Sequence, residues 1–319
     1  MTRGQIRWSR VSRITRAVLA LAFASLVLGG GGAEAELLTG LTSTGNLVTF
    51  DSGTPATIGS SVAISGLLST ETLLGIDRRP ATGILYGLGS SSRLYTINTT
   101  TGLAAAVGGP FSPALSGTAF GFDFNPVPDR IRVVSTDTSN FRLNPNDGTV
   151  AGTDTVLSYV LGDSGAGLTP RVVGSAYTNN FNGTAVTTLF GIDSNRDVLV
   201  MQGGPNGVPS PNGGGLTTIG AGLGFNTSDL VGFDISGTTG VAFASLVPST
   251  GGPAQLFTIN LTTGTAALVG TIGTGLTLTG LAAGVGAVPT VPVPSSLVLL
   301  GTGALVLIAW ARRHRAAAA

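Results

Sequence analysis

The chain of 319 residues has no Cys, no Lys and one His, His314, close to the C-terminus. The missing Cys excludes disulfides and thiolate metal sites. His314 stands among Arg312, Arg313 and Arg315 and belongs to that basic cluster. The rest of the chain therefore has no imidazole, which excludes a Ser-His-Asp triad and leaves too few ligands for zinc. The missing Lys matters once the charge is mapped. The formal net charge of +1 hides five Arg within the first 16 residues and three in the last eight. Between residues 36 and 294, eight Arg face 14 acids, a net of −6. Nucleic acids are bound largely through cationic contacts to phosphate, so DNA and RNA are not expected partners.

Glycine, with 50 residues, dominates what is present. Each Gly inside a helix costs about 1 kcal/mol, so long helices are not expected. Short apolar runs punctuated by Gly suit short strands and tight turns instead. Residues 1–16 carry regularly spaced Arg, Ala17 to Leu28 is an apolar run, and Ala33-Glu34-Ala35 follows. That order is expected of a secretory signal peptide cleaved after Ala35. A run of this length is short for a membrane span.

Two elements recur between residues 36 and 287. The first is Gly-aliphatic-Asp at a strand end, as in Gly75-Ile76-Asp77, Gly121-Phe122-Asp123, Gly191-Ile192-Asp193 and Gly232-Phe233-Asp234. The second is a hairpin, as in Leu94-Tyr95-Thr96-Ile97-Asn98 leading through Thr101-Gly102 to Ala106-Val107-Gly108, and again from Leu256 to Gly270. Together they give four strands per unit, the content of one propeller blade. The first hairpin, Leu47 to Gly59, has no Gly-aliphatic-Asp strand before it, whereas Thr279-Gly280-Leu281-Ala282 follows the last one. The expected fold is an all-β propeller of five four-stranded blades, closed by pairing of the N- and C-terminal strands. The four continuous blades are expected at roughly 66–109, 115–161, 172–222 and 228–272, and Met201 to Gly215 interrupts the third of them as a Gly/Pro/Asn-rich insertion. A β-sandwich array is the alternative architecture.

Residues 288–319 break the pattern. Closely spaced Pro from Val288 to Pro294 predict an extended linker. Leu297 to Trp310 is an uncharged, mostly apolar run, and the Arg cluster after it predicts a cytoplasmic C-terminus with the body outside.

Three groups of residues are candidates for chemistry. Asp77, Asp123, Asp193 and Asp234 could face a common channel, where paired carboxylates would serve a glycosidase. The simpler reading is structural, with each carboxylate accepting turn N–H groups. Arg130, Arg132 and Arg142 are the densest positive cluster of an acidic body. Arg130 and Arg132 are two apart on one strand and share a face, fit to clamp a carboxylate or acidic sugar. Pairing with Asp123, Asp129 or Asp137 is the plain alternative. Asp193-Ser194-Asn195-Arg196-Asp197 opens like a calcium loop, but Val198 and Gly204 stand where the motif needs Gly and Glu. Calcium is the one cofactor these residues suggest. Asn-x-Thr/Ser triplets at Asn98, Asn182, Asn226 and Asn260 fit turn chemistry.

Two resemblances follow from these strings. The linker, apolar run and Arg cluster resemble a PEP-CTERM sorting signal, the tail processed by exosortase-type membrane proteases in Gram-negative bacteria. Val291-Pro292-Val293-Pro294 stands for the usual Val-Pro-Glu-Pro, with Val in place of Glu. The body resembles the secreted bacterial family known as domain of unknown function 4394. The likeness rests on Gly121 to Pro126 with Asp129 to Val134, Phe141-Arg142-Leu143-Asn144-Pro145, Pro170 to Val173 followed by Ala176 to Asn180, and Leu189 to Asp193. That family implies secretion and no particular chemistry. The expectation is an exported module, in transit through the inner membrane to the cell surface or extracellular matrix. It would bind or build structure there, with extracellular polysaccharide as a partner. A glycosidase acting on such polysaccharide through channel carboxylates is the competing class.

Overall fold

A computed structural model describes residues 35–287. The signal-peptide, sorting-motif (Val291 to Pro294), apolar-run and His314 readings lie outside the described residues. Among the described residues no helix is long and apolar enough to cross a membrane, and the helical segments are two short 3₁₀ turns, Pro205–Gly207 and Pro211–Gly213.

The body is a five-bladed β-propeller. The chain enters through β1 (Leu37–Thr42), β2 (Asn46–Asp51) and β3 (Ile58–Ala63). Blade one follows as β4 (Leu73–Arg78), β5 (Leu85–Gly89), β6 (Arg93–Ile97) and β7 (Ala104–Val107). Blade two is β8 (Phe120–Asn125), β9 (Arg130–Ser135), β10 (Asn140–Leu143) and β11 (Val150–Thr153). Residues 158–159 fall within the range expected for blade two, yet they form a short β12 (Ser158–Tyr159) that pairs in parallel with β16 (Gly215–Ile219) of blade three. That blade begins with β13 (Val172–Tyr177), β14 (Leu189–Asp193) and β15 (Val198–Gln202). Blade four is β17 (Thr227–Ile235), β18 (Ala242–Pro248), β19 (Gln255–Ile259) and β20 (Ala266–Thr271). Finally β21 (Leu278–Ala282) pairs antiparallel with β1, so the closing blade runs β21-β1-β2-β3. The expected closure by both chain ends is present, with Gly40 opposite Leu281 and Leu41 opposite Gly280.

The hairpins form where local chemistry forces a turn. In the loop after β6, Asn98 Oδ1 accepts the N–H groups of Thr100 and Thr101, and Gly102 takes a φ of 72°. Asn260 and Gly264 repeat the arrangement after β19. This is the Asx-turn preference of Asn combined with the left-handed freedom of Gly.

The core lies in layers between blades. Val173, Ile192 and Leu199 of blade three pack on Val231, Phe233 and Leu246 of blade four. Tyr86 and Leu88 of blade one pack on Phe122, Phe124 and Ile131 of blade two. Each such side chain contributes about 1.5–3 kcal/mol when fully buried. A blade held between two neighbours has no solvent face near the axis. β8 and β9 are accordingly buried on both sides over nearly their whole length, which overrides the usual reading of a polar residue on alternate positions as exposed.

Candidate functional site

The inner strands β21, β4, β8, β13 and β17 pack against one another in that order around the axis. Each carries a Gly that faces the next blade: Gly280, Gly75, Gly121, Gly174 and Gly232. The approach is tight at all five and too close for a side chain at Gly121 and Gly232. A Cβ on Gly121 would lie 2.4 Å from Ser175 Oγ, and one on Gly232 would lie 2.6 Å from Leu281 N. Two residues later, on the same face, stands the repeat aspartate. An inner strand is a sheet edge with unpaired N–H groups, and the carboxylates cap them across the blade boundary. Phe124 N–H donates to Asp77 Oδ2 at 2.7 Å, Tyr177 N–H to Asp123 Oδ2 at 2.9 Å, and Ala283 N–H to Asp234 Oδ2 at 2.6 Å.

Blade three and the closing blade have Ala176 and Ala282 at the aspartate position. The N–H groups those residues leave uncapped are taken from within the next blade. Ile235 N–H donates to Asp234 Oδ1 and Arg78 N–H to Asp77 Oδ1, both at 2.6 Å. The Gly-x-Asp frame is thus an inter-blade clasp. Asp77, Asp123 and Asp234 are each 1% exposed, and one carboxylate oxygen from each lies within 4.8 Å of the other two. Burial is the main cause that pushes all three carboxyls up, Asp234 to about 6, and the charge of Asp77 adds to the rise at Asp123. The inner strands line a space of about 10 Å³, room for about one water.

Asp193 departs from the expected set. It ends β14, the second strand of blade three, and does not join the other three aspartates at the axis. Its Oδ1 accepts the N–H groups of Asn195 and Arg196, and its Oδ2 accepts the Tyr159 hydroxyl. The turn-capping expectation describes Asp193 well, whereas the other three mainly cap the next blade. The suggested calcium loop is committed in the same way. Asp197 Oδ1 accepts Thr227 N–H, so both end carboxylates already serve the backbone.

The Arg cluster is divided by the fold. Arg130 sits at the β8–β9 turn and donates to the carbonyls of Pro128 and Asp129. Arg132 is 1% exposed and does not share a solvent face with it. Asp123, Arg132 and Arg142 stand opposite one another on β8, β9 and β10, a polar row on the face that packs against blade three. None of the three acids expected to neutralise the cluster does so. Asp129 pairs with Arg79, Asp137 accepts from Ser135 and Ser139, and Asp123 caps Tyr177. The partner is Asp154. Arg142 Nε and Nη2 donate to its two oxygens at 2.8 Å each, and Arg132 Nη1 donates to Oδ2 at 2.6 Å. Burial pushes the Asp154 carboxyl up, but the bonds from Arg142 and Arg132 outweigh it and hold the carboxyl below its ordinary range. Arg132 is further fixed by Asn140 Oδ1 and Asn212 Oδ1, both at 2.6 Å.

Two guanidiniums therefore share one carboxylate, an excess of one positive charge. Arg142, with 31% of its side chain exposed, presents that excess to a cavity of about 310 Å³ between blades two and three. Tyr177 and Asn125 also line it, and its lip is the insertion after β15, through Asn206, Pro211 and Asn212. Sequence reasoning picked out Arg142 and the insertion separately. It gave no role to Asp154 or Tyr177, and Asn212 was legible only as part of an unusually long Gly/Pro/Asn loop, the kind that often carries function.

Residues 46–282 match the family model Domain of unknown function (DUF4394). The chain belongs to this family. The match runs from the start of β2 to the end of β21, so it takes in the three clasping aspartates and the Arg132–Asp154–Arg142 group. No curated protein matches the chain. Among solved structures it is similar to PorZ, a surface component of the type-IX secretion system of Porphyromonas gingivalis, with TM-score 0.36 and 13% identity over 70% of this chain. It spans only 26% of the PorZ chain. Glutaminyl cyclase from Myxococcus xanthus gives TM-score 0.38 and 11% identity over 77% of this chain and 91% of the other. A chain of a nidogen/laminin complex gives 0.42 and 10%, over 80% and 100%.

Proposed function

We propose that the protein is an exported, non-catalytic binding module whose ligand is a saccharide carrying a carboxylate. The observation that carries this reading is the net positive charge of the Arg132–Asp154–Arg142 group beside a ligand-sized cavity. Pockets for small ligands begin at about 300 Å³, and the cavity beside Arg142 reaches that size. Its remaining walls suit a sugar. Val127, Pro128 and Pro211 offer apolar surface, and Asn125, Asn206 and Asn212 offer amides. Arg142 uses Nε and Nη2 on Asp154, which leaves Nη1 as a donor for the incoming carboxylate.

The glycosidase alternative finds little support in the channel. Glycosidases hold two accessible carboxyls about 5–9.5 Å apart around a sugar bond. Asp77, Asp123 and Asp234 are closer than that, buried, and tied to backbone N–H groups. Export rests on the N-terminal leader pattern, and cell-surface delivery on the tail from Val291 to Arg315, a substrate for an exosortase-type protease after passage through the inner membrane. A glycan array probed with the full-length chain tests the reading. Uronic-acid-containing glycans should be retained, and neutral glycans of the same backbone should not. Equal retention of both classes, or of neither, would remove the ground for it.

A further inference from the structure

The hydrogen bonds around the propeller axis leave one oxygen over. Asp77, Asp123 and Asp234 offer six carboxylate oxygens, and five backbone N–H groups cap them: Arg78, Phe124, Tyr177, Ile235 and Ala283. The sixth, Asp123 Oδ1, is buried without a partner. It would cap Phe124 N–H by the pattern of the repeat, but Asp77 already does.

A second buried group at this end of the axis is also unpartnered. Asn180 is 0% exposed, and neither its Oδ1 nor its Nδ2 has a hydrogen-bond partner. Its backbone carbonyl accepts Gly286 N–H at 2.9 Å, and Gly237 packs so tightly on that carbonyl that a Cβ would lie 1.9 Å away. Gly237 in turn donates to Gly284 O at 2.8 Å. Asn180 is therefore held just past the ends of β17 and β21, against Gly237, three residues after Asp234, and Gly286, three residues after Ala283.

The charges here do not balance either. Arg78 offsets part of the charge of Asp77 and Asp234, although its Nη1 and Nη2 donate to Gly83 O and Thr39 Oγ1 rather than to either carboxylate. Arg132 stands opposite Asp123 on the next strand, but its donors go to Asp154, Asn140, Asn212 and Tyr177. Glu36 adds a further acid, accepting from Ser236, Thr239 and Gly284 N–H close to Asp234. Buried carboxylates without a counter-charge cost several kcal/mol each. Three buried acids beside one partly engaged guanidinium call for a proton or a cation at the axis.

We propose that the axis of the propeller holds one calcium ion, ligated by Asp77, Asp123 and Asp234. The donor set is all oxygen, which suits a hard cation and excludes a thiolate or imidazole metal centre. Oxygens within 4.8 Å of one another can touch one Ca²⁺ at its ordinary 2.3–2.6 Å. The free Oδ1 of Asp123 supplies a ligand whose lone pairs are uncommitted. Water fills the remaining positions. The ion would link blades one, two and four at their common axis, adding to the clasps a bond that closes the ring from within. A proton shared between Asp77 and Asp123 is the rival way to satisfy Asp123 Oδ1. It would offset one of the three carboxylate charges, whereas a divalent cation offsets two.

The test is calcium uptake by the full-length chain, read by equilibrium dialysis with metal analysis and by melting in Ca²⁺ against EGTA. One Ca²⁺ per chain and a higher melting temperature in Ca²⁺ are expected. Asp123→Asn is the informative variant. Its Oδ1 can still accept Tyr177 N–H and its Nδ2 can donate to Asp77, so the clasp survives, while calcium affinity should fall at least about tenfold with the lost charge. Asp193→Asn should bind calcium like the parent. No uptake by the parent chain at millimolar Ca²⁺ would overturn the proposal in favour of the shared proton. Unchanged affinity in Asp123→Asn, or loss in Asp193→Asn, would place the ion elsewhere and overturn it equally. The parent measurement decides even if Asp123→Asn does not fold.

Discussion

Replacing Asp154 by Ala should be among the most damaging single changes in blade two, and much more damaging than replacing its exposed partner. Asp154 holds Arg132, which is 1% exposed, and Arg142, whose side chain is 31% exposed. Without Asp154, Arg142 can turn to water. Arg132 cannot, because Asn140, Asn212 and Tyr177 enclose it. Stranding a buried charge in this way costs about 3–5 kcal/mol. Arg142→Ala leaves Asp154 paired with Arg132 and should cost only about 0.2–1 kcal/mol, the range for solvent-accessible ion pairs. At about 2–4 °C per kcal/mol for a domain of this size, Asp154→Ala should melt about 6–20 °C lower than the parent. Arg142→Ala should melt within about 4 °C of it. Thermal unfolding followed by circular dichroism separates the two. The double variant Arg132→Met/Asp154→Ala should recover much of the loss, since it removes the stranded charge together with its partner. If Asp154→Ala melts no lower than Arg142→Ala, the claim that Arg132 depends on Asp154 is wrong.

The fold makes further demands. Deleting residues 37–59 removes β1, the strand that β21 pairs with, together with β2 and the start of β3, so the inner strand of the closing blade loses its sheet; melting of the entire body should fall, and an unchanged melting temperature would refute closure of the ring by both chain ends. Asp234→Ala uncaps Ile235 and Ala283 N–H together and should cost about 1–3 kcal/mol for each buried group left unsatisfied, measurable by urea denaturation. The tail from Val291 to Arg315 should be absent from the mature protein recovered from the surface of its native host. An intact mass that still includes Trp310 would instead indicate a membrane-tethered propeller.

Much of the architecture was legible because it depends on local strings. The Asn-x-Thr-Thr-Gly turns and the alternating strands around them mark each hairpin, and Gly280-Leu281-Ala282 marks the strand that closes the ring. Asp193 was misplaced for an instructive reason. Leu189-Phe190-Gly191-Ile192-Asp193 is almost the same string as Leu73-Leu74-Gly75-Ile76-Asp77, yet the first is a second strand and the second an inner one. The true inner strand of blade three keeps its Gly174 but has Ala176 where the others have Asp, so the feature that identifies the series is missing there. The burial of Arg132 was hidden by a different effect. Alternation along β9 suggests one wet face, but a blade pressed between two neighbours has none near the axis. The Arg132–Asp154–Arg142 group was invisible for a third reason, since Asp154 lies just past β11 and meets the arginines only through the pairing of β10 with β11.

Arg142 is proposed to present the excess positive charge of its group to a saccharide-sized cavity. Isothermal titration of the full-length chain with a uronic-acid oligosaccharide, in parallel with Arg142→Gln, tests it most directly. The parent chain should bind, more weakly as salt rises, because solvent-accessible charge contacts are screened over about 10 Å at 0.1 M. Arg142→Gln should bind at least about tenfold less well, the equivalent of about 1.4 kcal/mol, while melting close to the parent. Equal affinity in the folded variant would contradict the account.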